Sequence, residues 1–448
     1  MNFNAFKEAI MAEAQAMGVA DYELYYQTSE STSVSAYLHE LNEFTASMDG
    51  GVCLRCIVNG KMGYAATQSL DPKGAKALLI QAMDNAATIE TEDAVFLGEG
   101  GQTYEALELN TYDLPSTDKL IAAVLDTQEK LYAADAAIVD GSTTQGFAER
   151  SEFAIFNSRG LDLRYANNFT GLMVDATVAQ GEEKSNDFQI KLGSLDTMDT
   201  NAMTVKAAKT ALAKLGGEVP TTGAYPVVFN PDAVYSLLSC FAGIFSSEAA
   251  HKGLSKLKDQ EGQTIAAPIV TLVDDPFHPN SPMPINFDAE GSPTYRKNII
   301  EKGVLNTLLY DLKSAARAGK TTTGNAAKAG YDSPVGIRPF TLYIENGDCT
   351  EEELLQKAGK GIYINSLEGL HAGANAISGD FSLQSAGYRI EDGQKTAHVK
   401  SFTVAGNFYD LLKNVTAVAN NGTLPMPLGM TTYGGPSILV EGLTVAGK

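Results

Sequence analysis

Residues 233–247 contain no Asp, Glu, His, Lys or Arg, and no other feature constrains the fold of this chain as tightly. The stretch opens as a helix should. Asn230 can cap, Pro231 suits the first turn, and Asp232 favours the positive end of the helix dipole. Val234, Leu237, Leu238, Phe241, Ile244 and Phe245 follow at roughly helical spacing. A helix without a charged face has to be enclosed by the rest of the protein. The chain can supply that enclosure, because 44% of its 448 residues are apolar and only 19% are charged.

Charge narrows the function. The 54 acidic against 33 basic residues leave a formal charge of −21, and no dense run of Lys and Arg exists. A nucleic-acid or anionic-membrane surface needs such a run, so neither partner is expected. Lys7, Glu8 and Glu13 interrupt the only apolar stretch near the N-terminus, so no signal peptide is expected either. No segment reaches the length of a membrane span. The four cysteines, Cys53, Cys56, Cys240 and Cys349, are few for this length and read as reduced thiols of a cytoplasmic protein. Cys53 and Cys56 form a C-x-x-C, but on a predicted strand (52–58). Strand residues three apart face opposite sides, so the pair is predicted to be neither a redox couple nor a zinc clip.

The expected fold class is α+β in two domains. An N-terminal α/β domain spans residues 1–216, and a C-terminal domain over 224–448 is mostly antiparallel sheet or partial barrel with few helices. The first half reads as helix, strands at 22–26, 33–38, 52–58 and 61–67, and a second helix opened by Pro72. An acidic connector at 90–113 is expected to be a surface excursion. The pattern then recurs with a helix at 118–134, strands at 137–139, 153–157, 161–165 and 172–179, and a helix at 201–215. Phe44, Gly51, Leu54 and Arg55 return as Phe153, Gly160, Leu163 and Arg164, at a constant spacing of 109, which points to an internal duplication. His39, on a strand end, is expected to be an ordinary surface residue. Gly, Pro and Thr crowd residues 216–223, the expected linker. Beyond the opening strand (225–229) and helix, short strands at 296–300, 304–309, 343–346, 362–365, 381–383, 388–391, 401–404 and 437–440 alternate with glycine turns. Residues 407–419 read as one further helix.

Several of these segments carry a resemblance. Met62-Gly-Tyr-Ala-Ala-Thr67, Phe287-Asp-Ala-Glu-Gly-Ser-Pro-Thr294, Gly324-Asn-Ala326, Ser378-Gly-Asp-Phe-Ser-Leu383, Val404-Ala-Gly-Asn-Phe-Tyr-Asp-Leu-Leu412 and Ser437-Ile-Leu-Val-Glu-Gly-Leu-Thr-Val445 stand in one order along nearly the whole chain. Each piece is unspecific alone, but the ordered set resembles the TldD/PmbA family, also called modulators of DNA gyrase. The resemblance implies a two-subunit zinc metallopeptidase system that degrades unfolded peptides and trims peptide precursors. Its TldD-type subunit carries H-E-x-x-x-H on the helix after the linker, with a cysteine near the C-terminus as third ligand. Two His one turn apart present nitrogens to a single metal, and the Glu between them serves as general base. Here the motif falls on Ser239-Cys-Phe-Ala-Gly-Ile244. Ser239 and Ile244 stand at the histidine positions, Cys240 stands at the glutamate, and residues 420–435 contain no cysteine.

The resemblance is therefore to the PmbA (TldE) type, which lacks the metal site. No catalytic residue and no cofactor are expected in this chain, and zinc is expected in a TldD-type partner. Asn325, Gly373, Asp380, Phe381 and Ser382 are the expected substrate-binding residues, since glycine lets backbone approach closely and an open strand edge can take an extended peptide. Turn-forming glycines and a loop-ordering Asp380 are the competing reading. Glu248 and His251, Asp274 and Asp275, His278, His371 and His398 are read as structural or solvated, unless folding gathers His251, His278 and His371. Three functional readings follow. The first is a non-catalytic subunit that positions peptide for a TldD-type partner in a heterodimer. The alternatives are a stand-alone metallopeptidase and a homodimeric peptide-binding protein.

Overall fold

The computed structural model describes residues 3–91, 93–107 and 113–448, so residues 92 and 108–112 of the expected connector lie outside it. The first half is built from α1 (Phe3–Met17), β1 (Asp21–Tyr37), β2 (Glu40–Val58), β3 (Lys61–Thr67), α2 (Pro72–Ala87), α3 (Thr117–Ala134), β4 (Thr143–Asn157), β5 (Asp162–Gln180), β6 (Glu183–Leu192) and α4 (Thr200–Ala213). The strands form one antiparallel sheet in the order β3-β2-β1-β4-β5-β6. Alternation along each strand sorts its two faces. Leu24, Leu54 and Cys56 meet α1 and α2, while Val34, Leu172 and Val174 meet α3 and α4. Tyr25, Cys53 and Phe153 point the other way, onto residues of the second half. Cys53 and Cys56 thus lie buried on opposite faces of the sheet, and burial pushes both thiols up, Cys56 to about 11.

The internal duplication is real in topology but not in the register read from sequence. β1 and β4 start at Asp21 and Thr143, β2 and β5 at Glu40 and Asp162, β3 and β6 at Lys61 and Glu183, a constant spacing of 122. Phe44 and Phe153 sit on non-equivalent strands, so the spacing of 109 reflects alternation around turns. The strands are also longer than expected. Polar residues such as Gln27 to Thr32 do not end β1, because hydrogen bonds to β2 and β4 continue through them.

The second half continues with β7 (Gly223–Phe229), α5 (Pro231–Phe241), α6 (Ser247–His251), β8 (Leu272–Asp274), β9 (Lys297–Glu301), β10 (Val304–Leu305), α7 (Leu312–Ala318), β11 (Ala326–Ala327), β12 (Gly336–Ile337), β13 (Thr341–Ile344), α8 (Glu351–Ala358), β14 (Gly361–Glu368), α9 (Leu370–Gly373), β15 (Asp380–Glu391), β16 (Gln394–Asn407), α10 (Phe408–Lys413), β17 (Val415–Val418), β18 (Pro427–Leu428), β19 (Thr431–Gly434) and β20 (Ile438–Ala446). Strands β7, β14, β15, β16 and β20 close into a five-stranded barrel, because β16 pairs with both β15 and β20. β17 adds to β20, and a second sheet runs β10-β9-β8-β13-β19-β18. The expected helix over 407–419 stops at Lys413. Val415, Ala417 and Val418 instead pair with β20, where their alternation fits a strand better than a helix face.

The described part of the connector is mostly exposed, as a surface excursion should be, but it is anchored at a few points. Leu97 is buried, a Cβ on Gly98 would meet the Glu290 carbonyl at 2.1 Å, and the Tyr104 hydroxyl donates to the Gly291 carbonyl at 2.8 Å. The connector touches the second half at Gly98 and Tyr104, the small and aromatic residues set among the acidic ones.

Candidate functional site

Helix α5 forms as its sequence demands. The Asn230 side chain accepts from the Ala233 amide at 2.8 Å, and Val234, Leu237, Leu238 and Phe241 are buried. Phe241 stacks on Phe408 with ring centroids 4.5 Å apart and meets Phe381 edge-on at 6.2 Å. The helix then tightens into a 3-10 turn over Ala242–Phe245, and Ser246 caps α6. The expected single helix is therefore broken, with Ser239 in α5 and Ile244 in the turn, so the two positions do not share one helix.

None of the three side chains at the motif position is free to serve a metal. The Ser239 hydroxyl donates back to the Ser236 carbonyl at 2.9 Å. Cys240 is half-buried, and burial pushes its thiol up, away from the thiolate that a metal requires. Ile244 is 1% exposed in the core. Among the described residues, no group of three or more His, Cys, Asp or Glu is arranged to hold a metal ion. The histidines are dispersed. His251 ends α6, and its neighbour Glu248 pairs instead with Arg317 at 2.6 Å and Lys252 at 3.2 Å. His278 packs edge-on against Tyr343, His371 is exposed on α9, and His398 lies on β16.

The expected substrate-binding residues divide. Gly373, Asp380, Phe381 and Ser382 come together, where α9 packs on the start of β15 and Phe381 reaches α5. A Cβ on Gly373 would lie 2.4 Å from the Ser382 carbonyl, so only glycine permits this approach. Phe381 is buried, whereas Asp380 and Ser382 are exposed. Asn407 donates to Asp380 at 2.7 Å, and hydrogen bonds from Asn407 and Ser378 hold that carboxyl below its usual range. Asn325 departs from expectation. It is fully buried and donates to Asp274 at 2.7 Å, so it cannot line an open groove. Asp274 also accepts from the Phe340 and Thr341 amides and from Lys297, which makes it the centre of a buried polar knot. Asp275 orders its own loop, accepting from the Phe277 amide at 3.0 Å.

The sequence reading assigned nothing to a second buried cluster, which links the two halves. Glu23 on β1 lies between Asn157 on β4 and Arg55 on β2 in the sheet register. Arg55 Nε donates to Glu23 at 2.7 Å, Asn157 at 3.1 Å, and Arg55 Nη1 stands 3.6 Å from Glu290 of the second half. Beside it, Asp288 accepts from the Glu290, Ser292 and Ala326 amides. Desolvation raises both acids, Asp288 to about 7 despite those amides and Glu290 to about 8 despite Arg55. The only signal in the sequence was the pair of acids in Phe287-Asp-Ala-Glu-Gly291. Two cavities of about 550 and 540 Å³ open at the junction of the halves. Arg55, Tyr64, Phe96, Glu248 and Glu290 line the first, and Ser29, Phe147, Tyr165, Met283, Met426 and Met430 line the second.

Comparison with known proteins bears on what this arrangement serves. Three family models match along the chain: the PmbA/TldA metallopeptidase domain 1 over residues 22–86, the central domain over 111–215 and the C-terminal domain over 222–447. A metalloprotease of Methanothermobacter thermautotrophicus is 26% identical, with 94% of each chain covered. The PmbA homologue of Haemophilus influenzae is 24% identical over 87% of this chain and 85% of its own. Among solved structures, a Thermotoga maritima protein described as a modulator of a DNA gyrase superposes with a TM-score of 0.89 at 29% identity, covering 99% of this chain and all of that one. TldE from Thermococcus kodakarensis superposes at 0.87 and 25% identity, with the same coverage.

Proposed function

The chain belongs to the PmbA/TldD metallopeptidase family, and on that premise we propose that it is a PmbA/TldE-type subunit, without catalytic chemistry of its own. In this reading it binds and positions unfolded peptides or peptide precursors for cleavage by a TldD-type zinc peptidase in a heterodimer. The observation that carries the proposal is the donor set at the motif position. A hydroxyl bonded to its own helix, a protonated thiol and a buried isoleucine do not fit zinc and offer no base for a water. No hydrolytic step is therefore assigned to these residues.

The likeness to a solved TldE supports the subunit type, and curated TldD homologues among the relatives support the class of partner. The cluster of Gly373, Asp380, Phe381 and Ser382 rests on the helix that carries the altered motif, which favours these residues as peptide contacts. Methionines lining the second cavity give it the adaptable apolar surface that varied peptides need. A cytoplasmic setting agrees with four unpaired cysteines, and no described helix is long and apolar enough to cross a membrane. The test is metal analysis and a peptidase assay on the purified chain. The proposal expects far less than one zinc per chain and no cleavage; stoichiometric zinc with activity would favour the stand-alone peptidase.

A further inference from the structure

The second junction cavity, of about 540 Å³, has a floor that strand alternation sorts into a polar and an aromatic part. Ser29, Ser31 and Ser33 bring hydroxyls from β1. In the sheet register Ser31 lies opposite Glu149 on β4 and Ser33 opposite Phe147, while Glu149 in turn faces Phe169 on β5. The Phe147 and Phe169 rings meet edge-on at 6.1 Å. A Cβ on Gly171 would stand 2.3 Å from the Phe147 ring, so glycine there lets the ring lie down against β5 and keeps the space above it open. Met283, Met426 and Met430 supply the wall from the second half. Glu149 is the charge that this surface leaves unanswered. Hydroxyls of Ser29 and Ser151 donate to its Oε1 at 3.1 and 2.7 Å and fix it in place. Among the described residues no Lys, Arg or His lines the cavity, and none pairs with Glu149. Glu152, the other acid of the lining, has Arg164 at 3.6 Å. A partly buried carboxylate beside aromatic rings is best matched by a cation that arrives together with apolar surface.

We propose that this cavity binds an extended peptide segment carrying a Lys or Arg and, two residues away, a large apolar side chain. Glu149 and Phe147 are two residues apart on β4, about 7 Å along the strand, which is also the repeat of same-side residues in an extended peptide. The basic side chain pairs with Glu149, and the apolar one lies on Phe147 and Phe169. The residue between them turns toward the methionines, whose flexible side chains accept varied shapes. The Ser31 and Ser33 hydroxyls stand in the same floor and can hydrogen-bond peptide amides. The inference deepens the peptide-positioning reading and rests on it, adding which segments the chain selects.

The test is titration calorimetry of the full chain with the acetylated, amidated peptide Ala-Lys-Ala-Phe-Ala-Ala. One control peptide replaces the lysine with norleucine, and another moves the phenylalanine next to the lysine. The first peptide should bind at least about tenfold more tightly than either control at about 0.05 M salt, and its margin over norleucine should shrink at about 0.5 M. In Glu149→Gln the lysine and norleucine peptides should bind alike, with the norleucine affinity unchanged from the parent, a pattern that a folding defect does not give. Phe169→Ala should weaken both. Equal binding of all three peptides, no saturable binding, or a Glu149→Gln chain that still prefers lysine would overturn the proposal. So would peptide affinity that falls as chain concentration rises, which marks a second copy as the occupant. Stimulation of a TldD-type peptidase is a separate readout, so failure here and failure of the subunit reading are distinguishable.

Discussion

Arg55 shows how one side chain can tie two halves of a protein together. It is buried between two acids, one from each half, so removing it leaves Glu23 and Glu290 without their charged partner. Breaking such a buried group is far more costly than losing a surface pair. Arg55→Met should lower unfolding free energy by about 3–5 kcal/mol in chemical denaturation. The acids add a pH signature. Asp288 and Glu290 have folded values raised to about 7 and about 8, above their unfolded values. Their contribution to stability is thus fully present below the unfolded values and is lost as pH rises through 7 and 8. Melting temperature should fall between pH 6 and 9, and Glu290→Gln should flatten that fall. This cluster was not legible in the sequence because Arg55, Asn157 and Glu290 are 32, 134 and 267 residues from Glu23, and only the fold makes them neighbours. The opposite holds for Cys53 and Cys56, where strand alternation alone separated the two thiols.

At the scale of elements, the sequence revealed most where local chemistry and packing agree. The cap, first-turn proline and apolar face of α5 announced it, and β7 and β9 fell close to their expected bounds. It misled where packing overrides local pattern. Val415 to Val418 joins a barrel margin, and residues 242–245 tighten because Gly243 weakens a continuing α-helix. Barrel closure itself depends on close approaches that a side chain would block. A Cβ on Gly387 would stand 1.8 Å from the Tyr363 carbonyl, so Gly387→Ala should cost about 1–3 kcal/mol by forcing β14 and β15 apart, readable in a denaturation curve. His398 on β16 has both ring nitrogens buried without a partner, beside Lys214 and Tyr388. Burial, helped by Lys214, lowers its folded value to about 4. The stability it contributes is present above the unfolded value of 6.5 and is lost as pH falls through about 4. His398→Gln should therefore lose less melting temperature than the parent between pH 6.5 and 4.5.

The whole molecule places a helical layer and a barrel-bearing half on opposite faces of one sheet. The helix at the centre of the second half places Ser239, Cys240 and Ile244 at the position where the resemblance puts the metal motif, and Ile244 there is part of the core. Ile244 and Cys240 pack with Phe241 and its neighbours, so these side chains serve the core. Introducing Ser239→His, Cys240→Glu and Ile244→His together should unfold the barrel side before it binds metal, since Ile244 is enclosed and the helix is interrupted. The central claim is that this chain contributes to peptide cleavage without performing it. The most direct measurement is the rate at which a TldD-type H-E-x-x-x-H relative from the same host cleaves an unfolded peptide, with and without this chain. The account predicts little turnover by the relative alone, none by this chain alone, and a rate that saturates at a one-to-one ratio of the two. Cleavage by this chain alone, or a relative whose rate ignores its presence at every ratio, would contradict it.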